Sequence, residues 1–488
     1  MRPRVALVVL GSLALLGACA GGPRPFRCPD RGGAQWRELA SDHFVLRTDL
    51  DAAGAGALIG RFERMHAAVA ASLPAAPPAP GRVEVIAFRT AAEYAPFAPE
   101  GAEGYYLRSE GGPPRIVLAG TLRPDQRALL AHEIAHHFLA GTFRRQPRWF
   151  AEGLAVAMEA LGDDAPAPGT PPAARLARAR RFPVPSRELL AWDGTAGARD
   201  VLDWYAASWL LVSYLSSERA EAFTALQRRL ASGDSPGEAW RSALPELDPA
   251  RPGALEELDA ALAAHARRPL EADAREIPVP AAIGYYEQRI PSTEVHAIRL
   301  ALWQHGPAKP LDALRAEVEE TLAEDRAHPI ALQYRAALWG EDPVRLARAA
   351  VDAHPLDPRA WTFLAFSLRG PPRAEEREDA LRRAADLAPA NAAALHNLAS
   401  ELLAQGRSGE ALPVARRAVH VAPWSPAILA GFAAVLSDLG QCAAAMPVQQ
   451  RAIDALPERA PPEARRELAV RLDAYARQCR LASGSPRP

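Results

Sequence analysis

The chain has 488 residues, 49% of them apolar, and a formal net charge of −1. That length calls for two to four domains, and the near-neutral balance gives no sign of a nucleic-acid surface. Lys309 is the only lysine among abundant Arg, Ala and Pro, a compositional bias with no bearing on binding. In chain order, residues 1–19 read as an address: Arg2 and Arg4 precede an apolar run, Val5–Leu16, that is too short for a stable membrane span. Residues 20–35, rich in Gly, Pro and Arg, read as a flexible tether. From Trp36 the pattern predicts a strand at 43–48, a helix over 54–73, a strand at 83–88 and a short helix from Thr90. Two further strands, 104–107 and 115–119, follow; they either close a sheet or offer an edge to an extended peptide.

The next helix carries His132-Glu133-Ile134-Ala135-His136. Four residues separate the two histidines, so a period of 3.6 puts both imidazoles on one helix face. Two imidazoles there suit Zn²⁺, and Glu133 beside the first is placed to act as general base toward a metal-bound water. Pro124 marks the helix start and Gly141 its C-cap. Leu129, Leu130, Ile134, Phe138 and Leu139 make the helix mostly buried, where unpaired His and Glu would be costly. His137 points about 100° away from His136 and reads as a packing residue or one that supports a ligand. Sixteen residues after His136, Glu152 opens a return helix and can complete a His₂Glu set with an open position. Glu159, two turns further on, is the competing ligand.

The pair H-E-x-x-H and Trp149-Phe150-Ala151-Glu152-Gly153-Leu154-Ala155 resembles the gluzincin-type metallopeptidases, above all the bacterial peptidase MA-like domains. Ser41–Phe44 and Asp203–Trp209 are similar to that group as well, and the resemblance covers residues 36–265. It implies an α+β zincin-like fold, zinc on His132, His136 and Glu152, and Glu133 as catalytic base. Tyr205 or Tyr214 is a candidate donor to the oxyanion; both also suit an aromatic core. Leu16-Gly17-Ala18-Cys19 resembles the lipobox of bacterial lipoproteins. It implies lipidation at Cys19 and, with Gly21 rather than Asp close behind it, an envelope protein anchored on the periplasmic face of the outer membrane.

Residues 162–200 read as a long Pro/Ala/Arg excursion, and helices are predicted at 203–217, 219–231, 236–243 and 253–266. The metallopeptidase-like domain is thus expected over 36–267, a Pro-rich linker over 268–294 and a helical domain over 295–488. There Pro355, Pro389, Pro423 and Pro457 recur every 34 residues, with Ala350, Ala384, Ala418 and Ala452 five residues earlier. Ala365, Ala399 and Ala433 keep the same step. This period resembles tetratricopeptide repeats and implies an all-α solenoid with a groove for a protein partner. In an oxidising compartment Cys442 and Cys479, at adjacent ends of the last antiparallel helices, are a disulfide candidate, which leaves Cys28 over in the tether. The function expected is a zinc-dependent, envelope-anchored peptidase whose repeats recruit a protein substrate. The alternatives are a non-catalytic repeat scaffold with a vestigial metallo-domain, or hydrolysis of a cell-wall peptide or other amide.

Overall fold

The computed structural model describes residues 27–72, 82–98, 104–107, 114–120, 124–143, 146–159, 173–193, 199–268, 283–303, 311–368, 370, 373–456 and 461–482. The proposed signal peptide and Cys19 lie outside them. Among the described residues six strands form one sheet: β1 (Arg37–Ala40), β2 (Phe44–Thr48), β3 (Val83–Phe88), β4 (Gly104–Leu107), β5 (Arg115–Ala119) and β6 (Tyr286–Arg289), in the order β4-β5-β3-β2-β1-β6. β2 and β5 run parallel to β3, and the other pairs are antiparallel. Ten helices accompany the first five strands: α1 (Ala52–Ser72), α2 (Ala91–Tyr94), α3 (Pro124–Thr142), α4 (Arg148–Met158), α5 (Ala173–Arg181), α6 (Ser186–Leu190), α7 (Val201–Glu218), α8 (Ala220–Ser232), α9 (Pro236–Ala243) and α10 (Ala254–Arg267).

β3 is buried along its whole length because both sheet faces are covered. Val83, Val85 and Ala87 alternate into a core shared with α1, α3, α4 and α7. Ile86 and Phe88 point the other way, into a second core with Trp36, Tyr94 and Phe97. The period of two thus sends successive side chains of one strand into two different cores.

Four boundaries differ from the expectation. Residues 286–289 of the expected linker are the edge strand β6, paired along β1. The helix that follows, α11 (Ser292–Trp303), packs Val295, Ile298 and Leu302 on the sheet's second face, while its Leu300 faces the repeat core. One amphipathic helix therefore serves both halves. Gly141 is no C-cap, since α3 runs on to Thr142. The excursion 162–200 holds α5 and α6, whose apolar residues Ala179 and Leu189 join the main core.

A buried polar cluster ties α1 to the sheet. Glu63 accepts from the Ser41 hydroxyl at 2.6 Å and the His43 amide at 2.9 Å, and it pairs with His43 Nδ1 at 2.7 Å. His66 stacks on the His43 ring at 3.6 Å and leans on Phe138 of α3 at 4.4 Å. Burial first, and then His43, pushes the His66 pKa down to about 4. Glu63 is lowered to about 2 by His43 and Ser41, against the burial that opposes it. Both groups bind fewer protons folded than unfolded. Their stabilisation is complete above the unfolded His value near 6.5, falls as pH drops through 4, and falls further toward 2. Urea midpoints should decline from pH 7 to pH 4 by the equivalent of about 2–3 kcal/mol for His66 alone. A His66→Gln variant that keeps the full slope would refute this assignment.

The C-terminal half is a helical-repeat solenoid of tetratricopeptide-like hairpins. After α12 (Leu311–Glu324) come the pairs α13 (Pro329–Trp339) with α14 (Pro343–Ala353), α15 (Pro358–Ser367) with α16 (Ala374–Leu387), α17 (Ala392–Ala404) with α18 (Ser408–Val421), and α19 (Pro426–Asp438) with α20 (Cys442–Asp454). The final helix is α21 (Pro462–Ala482). All seven alanines of the 34-residue registers are buried, where a larger side chain would hold the helices apart. A further register was not recognised in the sequence: Asp357, Asn391 and Ser425, again 34 apart, are side-chain N-caps of α15, α17 and α19. Gly406 and Gly440 take positive φ in the turns that reverse the last two hairpins.

Cys442 and Cys479 are joined, with Cα atoms 5.5 Å apart. The bridge closes a loop of 37 residues, worth about 3–4 kcal/mol in the chain-entropy account. Cys442→Ala with Cys479→Ala should therefore lower the stability of the last hairpin by that amount. Limited proteolysis should then release α21 first, and unchanged protection would contradict the assignment.

Candidate metal centre

α3 and α4 pack on each other, and Phe143 and Phe150, at the near ends of the two helices, meet edge to face at 4.9 Å. Trp149 and Phe150 are core, and Trp149 meets Trp240 at 5.7 Å. Gly153 lets α4 approach α7. A Cβ there would stand 2.4 Å from the Ser208 carbonyl oxygen and 2.6 Å from Val212 Cγ2.

This packing brings together His132, His136 and Glu152. His132 Nε2 lies 3.1 Å from His136 Nε2 and 3.2 Å from Glu152 Oε2, and His136 Nε2 lies 3.4 Å from Glu152 Oε1. Glu152 is buried, and neither of its oxygens accepts a well-aligned hydrogen bond. The Arg148 guanidinium stands 2.7 Å from one of them. Glu133, partly exposed, sits next to His132 on α3.

Glu159, the rival ligand, is on the other side of the ring: its Oε1 is 3.1 Å from His132 Nδ1. Arg175 of α5 holds that carboxylate through Nη2 at 2.9 Å. Glu159 and Arg175 therefore orient His132 and leave its Nε2 turned toward His136 and Glu152. Neither role was read from the sequence. The seven-residue step from Glu152 to Glu159 was the available signal, but Arg175 lies in a stretch without strong pattern.

Burial disfavours a charged His132, yet Glu152 and Glu159 outweigh it and push its pKa up to about 9. His136 is pushed down, by burial first. Glu152 is held well below the usual carboxylate range by both imidazoles and Arg148, against its burial. Glu159 is lowered, again against burial, by His132 and Arg175.

The Tyr205 ring lies 5.9 Å from that of His132, with Trp192 beside it at 6.2 Å. Tyr214 packs elsewhere, 5.8 Å from the His265 ring. His137 packs against Trp424 at 5.4 Å, so the back of the motif helix rests on the turn between α18 and α19.

The ligand spacings fit a metal. Bonds of 2.0–2.1 Å around tetrahedral zinc put neighbouring donor atoms about 3.3–3.4 Å apart. The histidine nitrogens stand 3.1 Å apart, each has one Glu152 oxygen at 3.2 or 3.4 Å, and one donor atom from each residue lies within 4.8 Å of the other two, so the set is close to that edge.

No family model matches the chain, and no curated protein matches it. Solved structures with similarity include a tetratricopeptide-repeat protein of Thermus thermophilus, at 17% identity over 38% of this chain and 96% of that one, TM-score 0.29. They also include yeast Tom70, at 12% identity over 74% and 65% of the two chains, TM-score 0.33, and the MamA protein, at 14% over 33% and 91%, TM-score 0.26. At such scores the likeness says nothing about function.

Proposed function

We propose that the chain is a zinc-dependent peptidase with a zincin-like N-terminal unit, lipid-anchored through Cys19 on the periplasmic face of the bacterial outer membrane. No described helix is long and apolar enough to cross a membrane. The observation that supports zinc most directly is the mutual spacing of the His132, His136 and Glu152 donor atoms. Those three residues would hold the ion, which when bound would polarise a substrate carbonyl and make a water molecule acidic near neutral pH. Glu133 takes the proton of the attacking water and returns it to the leaving amine nitrogen. Glu159, braced by Arg175, keeps the His132 tautomer fixed. The Tyr205 ring lies beside that of His132 while Tyr214 packs on His265, which supports Tyr205 over Tyr214 as the donor toward the developing oxyanion.

The solenoid supplies the binding part of the reading. Its stacked hairpins suit an extended protein segment, and the His137–Trp424 contact sets the repeats directly behind the metal helix. The bond class favoured is therefore the peptide bond of a protein substrate.

One observation favours a second reading, a repeat-based binding lipoprotein without catalysis. The Arg148 guanidinium already pairs with Glu152 at 2.7 Å, so the cluster can persist without a cation. Zinc content and cleavage of a casein-like substrate, with Glu133→Gln as control, separate the two. The peptidase reading expects bound zinc in both proteins and cleavage in the unsubstituted one only. Equal cleavage in both, or no zinc at α3 and α4, overturns it.

A further inference from the structure

A second set of metal-type side chains converges far from α3. Cys28 was expected to be left over in a flexible tether; instead it is a free cysteine with 1% exposure. Its Sγ lies 3.1 Å from Glu324 Oε1 at the end of α12, and His296 Nε2 of α11 lies 3.7 Å from the same oxygen. The three donor atoms all fall within 4.8 Å of one another. His296 is fully buried, and its Nδ1 is 2.6 Å from Glu317 Oε1, which also accepts from Arg299 Nε at 2.9 Å. The carboxylate on one ring nitrogen turns the other toward Cys28, the same arrangement that Glu159 gives His132.

The thiol is held in place by the backbone around it. The amides of Arg31 and Gly33 donate to the Cys28 carbonyl at 3.0 and 2.9 Å, and the Asp30 amide donates to Ser292 Oγ at 3.0 Å. At Gly33 a Cβ would meet the Arg27 carbonyl oxygen at 1.7 Å, so the loop closes this tightly only around glycine. Arg31 reaches Glu320 of α12 at 3.9 Å.

We propose that Cys28, His296 and Glu324 form a second, structural zinc site. A thiolate, an imidazole and a carboxylate together suit Zn²⁺, whereas a thiolate ligand argues against Mg²⁺ or Ca²⁺. Without the metal the thiol proton points to Glu324, and burial followed by that hydrogen bond raises the Cys28 pKa. On binding, one S–Zn bond forms and the thiol proton leaves to the buffer, with no change of oxidation state. The site staples the segment that follows the proposed anchor to α11 and α12, and α11 in turn carries both the sheet core and the first repeat contacts.

The test uses the full chain, stripped by a chelator and reloaded with Co²⁺. A thiolate-to-cobalt charge-transfer band should appear in the near ultraviolet. His132, His136 and Glu152 offer no sulfur, so the band should survive His132→Ala with His136→Ala, which isolates this proposal from the peptidase reading. That variant should also retain one equivalent of zinc. Cys28→Ser should abolish the band. Glu324→Gln, which keeps a hydrogen-bond acceptor for the thiol, should weaken cobalt binding without unfolding the segment. Zinc should protect the Cys28 peptide from alkylation, as read by mass spectrometry, which separates it from Cys19. Absence of the band in the unsubstituted chain, its persistence in Cys28→Ser, or alkylation of Cys28 indifferent to zinc would overturn the site.

Discussion

At the proposed zinc site, Glu152→Ala is expected to abolish zinc binding between α3 and α4, whereas Glu133→Gln should keep it and abolish the proposed hydrolysis. The two carboxylates differ by position. Glu152 is buried against both imidazoles, with one oxygen 3.2 Å from His132 Nε2 and the other 3.4 Å from His136 Nε2. With it gone, two histidines on one helix face remain, a set short of the three protein ligands of catalytic zinc. Glu133 lies outside the proposed donor set, so its amide analogue leaves that set whole and removes only the proposed proton acceptor. The expected loss in turnover is about 10²–10⁴-fold. Glu159→Gln, which weakens the brace on His132, should cost about 10–100-fold in metal affinity and leave the donor count unchanged. Metal analysis, together with initial rates on one peptide, reads all three variants. Full zinc at α3 and α4 in Glu152→Ala would sink the ligand assignment, whatever the rates show.

Gly153→Ala should be among the most disruptive single-methyl changes in the N-terminal unit. The added Cβ would lie 2.4 Å from the Ser208 carbonyl oxygen and 2.8 Å from its carbon, both backbone atoms of a buried helix, and 2.6 Å from Val212 Cγ2. Backbone cannot rotate away as a side chain can, so α4 must move off α7. Overpacking of this kind costs about 1–3 kcal/mol, with the upper end expected here. Because Glu152 is the preceding residue, the same displacement carries its carboxylate away from His132 and His136. Melting temperature and zinc affinity should therefore fall together. Val212→Ala in the same chain should restore part of the stability by removing one of the contacts, but not the part owed to Ser208. A melting temperature unchanged by Gly153→Ala would show that the α4–α7 contact is looser than described.

Much of the site was legible because its chemistry is local. The i, i+4 spacing of His132 and His136 needs only the helical period, and Glu152 needs only a reversal of the chain after Phe143. The 34-residue registers were legible for the same reason: a repeat packs on its own copies, so the alanines and prolines mark the crossings and turns without reference to the rest of the molecule. What was not legible is each role whose partner comes from far along the chain. Glu159 looked like a rival ligand because its role depends on which ring nitrogen of His132 it meets and on Arg175. The edge strand β6 pairs with β1 about 250 residues earlier, and its polar sequence, Tyr286-Glu287-Gln288-Arg289, has no apolar alternation to announce it.

Cys28 is the sharpest example of that division. The residues around it, rich in Gly, Pro and Arg, carry the composition of a tether, and composition is all that the sequence offers there. Burial came from α11 and α12, almost three hundred positions away, which present His296 and Glu324 to one thiol, with Glu317 behind the imidazole. By itself the sequence determined the helix that carries two metal-type histidines, the carboxylate on the returning helix and the periodic solenoid, since each follows from spacing along the chain. Only the tertiary structure decided which carboxylate faces the pair and which braces it, that one helix is shared by the sheet and the repeats, and that the segment before the fold is docked. Those outcomes depend on distances between residues remote in sequence, which no local period encodes.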